Sequence, residues 1–185
     1  MSKTKNFIFK GKQSFSSSKL EQISREFKQA NNLDAEIESN EIYLILTNGN
    51  EINEEGIKDV LSATEQDETF TFYVGPRLGT ISPWSSKTED IISNVGLKNI
   101  LRVEKLFGFK INRNINEDNI DLSMFFDRMT QSIYIEEKDF RNLFVADPPR
   151  LLNHIDVIKK GKKELEIANK NFGFAMSDEE IGYLY

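Results

Sequence analysis

The chain has 185 residues, of which 38% are hydrophobic, 29% charged and 11% aromatic, a composition that suits a globular protein with a sizeable core. It contains no cysteine, which excludes disulfide scaffolds, thiolate zinc sites and cysteine nucleophiles, and its single histidine, His154, leaves little for a metal cluster or a Ser-His-Asp relay. With 24 Lys+Arg against 30 Asp+Glu the net charge is -6, which argues against a nonspecific nucleic-acid binder.

There is no run of about 18 apolar residues, and residues 1–10 lack the apolar core of a signal peptide. A cytoplasmic chain without a membrane segment is expected. Residues 6–10 read as a strand. Ser18 and Glu21 suggest a capping box for a helix whose Leu20, Ile23, Phe27 and Ala30 share one face, and Asn31-Asn32 is its stop. From Ala35 to Leu46 the period changes to two, with Ile42, Leu44 and Leu46 on one side and Tyr43 and Ile45 on the other. The turn residues Asn48-Gly49-Asn50 end this long strand, and Asn53 caps a short helix carrying Ile57, Val60 and Leu61. The stretch from Glu51 to Glu68 is strongly acidic, with Lys58 its one base. Phe70, Phe72 and Val74 then alternate as another strand.

After a turn-rich segment at residues 75–85, Ser86 and Glu89 predict a second capping box, Ile91, Ile92 and Val95 a helical stripe, and Gly96 a left-handed terminator. Leu101, Val103, Phe107, Phe109 and Ile111 alternate along a second long strand, with Lys105 the exception. A helix carrying Leu122, Phe125, Phe126 and Met129 is expected next, then a strand at residues 132–135. The order strand, helix, long strand, helix thus occurs twice with an offset of about 65 residues. The fold class predicted is α+β: two tandem β-α-β-α units forming an antiparallel sheet with helices packed on it, followed by a partly helical linker.

Pro148-Pro149 marks the expected boundary between a duplicated domain at 1–147 and the linker at 148–185. In the linker, Asp156 caps a helix with Ile158, Leu165, Ala168 and Phe172 on one face, Lys159, Lys160, Lys162 and Lys163 on a solvated side, and Gly173 at its end. Ser177 and Glu180 form a third capping box, followed by Ile181 and Leu184. So short a final helix suggests the front of a longer polypeptide.

The most informative stretch surrounds the sole tryptophan. Its glycines precede a helix start, and Arg77 or Lys87 could neutralise an anion there, yet no Gly-Lys-Ser/Thr follows Gly79 and no Gly-x-Gly-x-x-Gly occurs, so a P-loop is excluded. A proline-braced crossover that buries Trp84 is the plainer expectation. Asp90, Glu104 and Asp127 are candidate general acids or bases only in the sense that burial can tune any carboxylate, and nothing in the sequence pairs them.

The segment Pro76-Arg77-x-Gly79-Thr80-Ile81-Ser82-Pro83-Trp84-Ser85-Ser86-Lys87-x-x-Asp90-Ile91 closely resembles a signature near the N-terminus of the large, single-chain phosphoribosylformylglycinamidine synthases. Similar motifs follow in order: Asn94-x-Gly96-Leu97, Arg102-x-Glu104, Asp127-Arg128-Met129-Thr130, and the run from Ala168 to Leu184. The family makes formylglycinamidine ribonucleotide from formylglycinamide ribonucleotide, ATP and glutamine in purine biosynthesis. What the resemblance implies is an ATP-dependent ligase and glutamine amidotransferase whose catalytic, nucleotide and magnesium sites lie beyond the position of Tyr185, so that no catalytic, cofactor-binding or metal-binding residue is carried over. ATP and magnesium are implied for the full-length enzyme, not for these residues. The resemblance also implies a noncatalytic N-terminal domain, similar to two fused copies of a small dimeric subunit, that organises the contact between synthetase and glutaminase domains of the same polypeptide. Arg77, Gly79, Thr80, Ser82, Pro83, Trp84, Ser85, Ser86 and Lys87 become the candidate interface residues. The alternative is a free-standing, noncatalytic subunit that binds a separate synthetase.

Overall fold

The computed structural model describes residues 4–49, 51–113, 120–145 and 151–185. The chain divides into two compact units, Met1–Asp147 and Pro148–Tyr185. The expected boundary residues Pro148 and Pro149 lie outside the described residues.

The first unit is built on one antiparallel sheet. Its strands are β1 (Lys5–Gln13), β2 (Ile37–Thr47), β3 (Thr64–Glu65), β4 (Phe72–Pro76), β5 (Ile100–Ile111) and β6 (Gln131–Tyr134), in the spatial order β3-β1-β2-β5-β4-β6. Three helices connect them: α1 (Ser17–Asn31), α2 (Glu54–Leu61) and α3 (Pro83–Asn94). The two long strands β2 and β5 pair along their whole length, with Ile42 opposite Leu106 near the middle. Each carries its own half outward, β1 beside β2 and β4 beside β5, and Phe7↔Ile45 corresponds to Phe72↔Phe109 about 65 residues on. The repeat read from element order is therefore visible as a sheet whose two halves meet at β2 and β5.

Because side chains alternate across a strand, β2 feeds two cores. Tyr43 and Ile45 pack with Phe9, Val103 and the apolar residues Ile57, Leu61 and Ile92 of α2 and α3. On the same helix-bearing face, Leu20, Ile23 and Phe27 of α1 meet Phe72, Val74, Phe109 and Phe125. Ile42 and Leu44 face the other way, toward Leu106, Tyr134, Phe140 and Leu143. Phe140 ends the short helix α4 (Glu137–Phe140), and Leu143 lies in the 3₁₀ turn that follows at Arg141–Phe144. Phe70 belongs to this second face with Tyr73, not beside Phe72 and Val74 as strict alternation suggests, because the strand begins only at Phe72.

Several local expectations are corrected. The cap of α1 is Ser16, whose Oγ accepts the Lys19 N–H at 3.3 Å, so Ser18 lies inside the helix, and Ala30 on its last turn is exposed. The helix expected through Leu122 and Met129 is a single 3₁₀ turn at Ser123–Phe125. Asp127 stops it: its Oδ1 accepts the Met129 N–H and its Oδ2 the Thr130 hydroxyl, a local side-chain turn that competes with helical bonding. Gly96 does terminate α3, with φ of 81°, and the bonds Gly96 N–H to Ser93 O and Leu97 N–H to Ile92 O complete a Schellman motif. The acidic stretch is balanced by ion pairs, Lys58 with Glu55 and Glu65, and Glu68 with Lys10 and Lys110.

In the second unit the expected single helix is two, α5 (Val157–Lys160) and α6 (Lys162–Phe172), broken at Gly161 with φ of 72°. Ile158 is consequently exposed, whereas Leu165 and Ala168 are buried. Asp156 and Gly173 cap these helices as read from sequence, and α7 (Asp178–Leu184) carries the Ser177/Glu180 capping box. The Ser177 N–H and hydroxyl hold the Glu180 carboxyl below the ordinary range for glutamate. Among the described residues no helix is long and apolar enough to cross a membrane.

Candidate functional site

The segment holding Trp84 begins where β4 runs out. Pro76 pairs with Gln131 of β6, and the Tyr134 hydroxyl donates to the Pro76 carbonyl at 2.5 Å, fixing the strand end. A tight turn follows. The Thr80 N–H closes it onto the Arg77 carbonyl at 3.1 Å, and Gly79 sits third in the turn with φ of 74°, a conformation that disfavours any residue with a Cβ.

Ser82, not Ser86, caps α3. Its Oγ accepts the Ser85 N–H at 3.0 Å, and Pro83 occupies the first helical position, where a missing N–H costs nothing. Ser86 is an exposed first-turn residue. The same Ser82 is tied to the sheet, because both its N–H and its hydroxyl donate to the carboxylate of Glu104. Glu104 is wholly buried. Arg102 completes the knot: one guanidinium nitrogen donates to Glu104 Oε2 at 3.1 Å and to the Thr80 carbonyl, and the guanidinium lies over the Phe144 ring at 4.9 Å. Buried Ser85 adds a second tie, its Oγ 2.5 Å from the Val103 carbonyl oxygen. The turn and the helix start are thus held by charge-assisted bonds to a buried carboxylate, and such bonds are stronger than neutral ones.

Trp84 is half-buried rather than enclosed. One face stacks on Tyr43 at 5.7 Å between ring centroids, and Lys105 Nζ lies 5.3 Å from the ring centroid. Lys105 is also 5.7 Å from the Phe107 ring centroid and donates to Glu41 at 3.2 Å. Glu41 accepts the Tyr43 hydroxyl at 2.6 Å, and burial together with this carboxylate pushes the Tyr43 phenol well above its ordinary pKa.

The rest of the Trp84 ring faces a groove of about 520 Å³. One wall is Thr80, Ile81, Ser82 and Pro83; the other is Met129, Thr130 and Gln131, with Lys105 and Phe107 between and Arg77 at the lining. The Arg77 N–H reaches the Thr130 carbonyl at 3.4 Å. Two sequence motifs separated by some forty residues are therefore walls of one feature. Asp127, beneath the second wall, is held below the ordinary carboxylate range by the Met129 N–H and the Thr130 hydroxyl.

Of the residues singled out from sequence, Arg77, Thr80, Ser82, Pro83 and Trp84 line this groove, while Gly79 shapes the turn, Ser85 anchors the helix, and Ser86 and Lys87 are exposed without lining it. Lys105 and Phe107 were missed; the signal was the lysine that interrupts the alternation of β5. Asp90, Glu104 and Asp127 are not brought together: Asp90 is exposed, Glu104 is bound by Ser82 and Arg102, and Asp127 is engaged in its turn. Among the described residues, no three Asp, Glu or His side chains come together in a way that could hold a metal ion.

Both walls fall within residues 25–144, and that span matches the protein family described as formylglycinamide ribonucleotide amidotransferase N-terminal. The match runs from the second half of α1 through the 3₁₀ turn after α4, well over half of the chain. The chain belongs to the N-terminal domain family of formylglycinamide ribonucleotide amidotransferase.

Proposed function

We propose that this chain is a noncatalytic assembly domain, whose groove face helps to organise the contact between the synthetase and glutaminase parts of the amidotransferase. Family membership supports a role in purine biosynthesis, and the family's description as an N-terminal domain supports a place in a larger polypeptide. The finer reading rests on one observation: the residues most like the family signature are spent on building a surface. Ser82, Ser85, Arg102 and Glu104 bind one another and the backbone, and what they leave facing outward is an apolar groove with aromatic and methionine walls. Such side chains at a half-open groove suit contact with another protein surface better than they suit proton transfer. ATP, magnesium and the glutamine nucleophile belong, on this reading, to the other domains of the enzyme.

The test uses the full-length enzyme carrying Trp84→Ala, assayed with glutamine and, separately, with free ammonia as nitrogen donor. If the groove organises the two domains, glutamine-dependent synthesis falls at least tenfold while ammonia-dependent synthesis changes less than twofold. Equal loss with both donors assigns the groove to the synthetase reaction itself. No loss with either removes the assembly role.

A further inference from the structure

The groove carries a charge pattern at odds with the rest of the molecule. The chain has a net charge of -6, yet the two charged residues that line the groove, Arg77 and Lys105, are both cationic. Lys105 spends one of its three donors on Glu41 and lies against the Trp84 and Phe107 rings, but its other two donors have no hydrogen-bond acceptor among the described residues. Arg77 is exposed and makes no ion pair among the described residues. Beside these cations are large apolar side chains left open to solvent: Ile81 is 64% and Met129 80% exposed, and Trp84 offers the ring surface not covered by Tyr43.

We infer that the occupant of this groove is a peptide segment in which an acidic residue stands next to large apolar ones, the carboxylate meeting Lys105 and Arg77 while the apolar side chains cover Trp84, Ile81 and Met129. This inference rests on the groove being an interface, as proposed above, and adds the chemistry of what fills it. The charge pattern selects this occupant. A basic segment would set like charges together against both lining cations, and a wholly apolar one would strip water from Lys105 and Arg77 without supplying an acceptor, each a penalty in a partly desolvated site. A segment with a carboxylate satisfies the free donors of Lys105 and gains the forked geometry that arginine offers to carboxylates.

Trp84 is the sole tryptophan, so its fluorescence reports occupancy of the groove directly. The experiment pans a random peptide library displayed on phage against the purified chain, then titrates the most enriched peptide, made synthetically, while Trp84 emission is followed. The expected result is enrichment of Asp or Glu flanked by Phe, Leu or Ile, and an affinity that falls as salt is raised. Arg77→Glu should weaken binding at least tenfold, and Lys105→Glu more, whereas Lys19→Glu, a like change of charge at an exposed residue of α1, should alter it less than twofold. Arg77 makes no side-chain bond that folding needs among the described residues, so its variant keeps the test valid if Lys105→Glu fails to fold.

Enriched peptides that are basic or purely apolar, binding indifferent to Arg77→Glu, or no peptide that moves Trp84 emission would each overturn the inference. So would concentration-dependent self-association abolished by Arg77→Glu, which would make a second copy of the chain the occupant. In the full-length enzyme, loss of glutamine coupling with Trp84→Ala but not with Arg77→Glu would leave the assembly role standing and the acidic occupant refuted.

Discussion

At the scale of single residues, Glu104 decides the shape of the groove although it does not line it. Its carboxylate gathers the Ser82 N–H, the Ser82 hydroxyl and the Arg102 guanidinium with no exposed surface of its own. Removing one partner from a buried charge pair leaves the other uncompensated, so Glu104→Leu is expected to destabilise the domain by about 3–5 kcal/mol. The measurement is the urea unfolding midpoint, followed by Trp84 emission in the folded state. A red shift should accompany the loss, because the turn that positions Trp84 loses its anchor. A change below about 1 kcal/mol would show that the knot of polar bonds contributes little beyond what water would supply.

At the scale of elements, the packing of the segment that leads into β4 against β5 depends on a residue with no side chain. A Cβ on Gly108 would fall 2.8 Å from ring atoms of Phe70, which therefore rests directly on the strand backbone. Gly108→Ala is expected to cost about 1–3 kcal/mol by overpacking, and Gly108→Ala combined with Phe70→Leu should recover part of it. Gly96 offers the contrast. Nothing lies within 4 Å of a Cβ there, so the roughly 1–2 kcal/mol expected for Gly96→Ala comes from backbone conformation alone and no second substitution restores it. The difference between these glycines also measures what a sequence can tell. The role of Gly96 was legible from a helical stripe followed by glycine, a local pattern, whereas that of Gly108 depends on Phe70, nearly forty residues away. The same division runs through the site. The turn and the Trp84 segment were readable as a unit, but the cap went to Ser82 because Glu104, on a different strand, binds it from outside the helix. The helix expected at Leu122 and Met129 failed for a local reason, the turn-forming carboxylate of Asp127, which outweighs the apolar spacing.

At the scale of the whole molecule, three of the five tyrosines are built into the two-sided core and set its behaviour in alkali. Burial pushes Tyr73 and Tyr134 up to about 12, with Glu137 adding to the effect on Tyr73, and Tyr43 is raised as well by burial and by Glu41. An unfolded tyrosine ionises near 10. The folded state thus favours the neutral phenol, and this stabilisation is complete below about pH 10 and is lost as pH rises toward 12. The urea midpoint should hold up to about pH 9 and fall steeply above 10, and Tyr134→Phe should flatten that fall. Near-ultraviolet absorbance should show tyrosinate appearing late, together with unfolding; full ionisation of all five in a still-folded chain would contradict it. The fold class and the two halves were legible from element order, whereas the pairing of β2 with β5 that joins them is a long-range contact that no local pattern announces.

That joining has a consequence for how the surface can change. In an assembly of two identical subunits, every substitution is written twice, and a feature useful on one side is imposed on the other. Here the two halves of one sheet have separate sequences: before α3 the chain spends residues 77–82 on a turn and a groove wall, while before α1 only residues 14–16 intervene. A substitution in one half therefore leaves the other unchanged, and a surface can be present on one half alone. On the proposed reading, a partner that binds this groove finds it on one half of the sheet and not on the other.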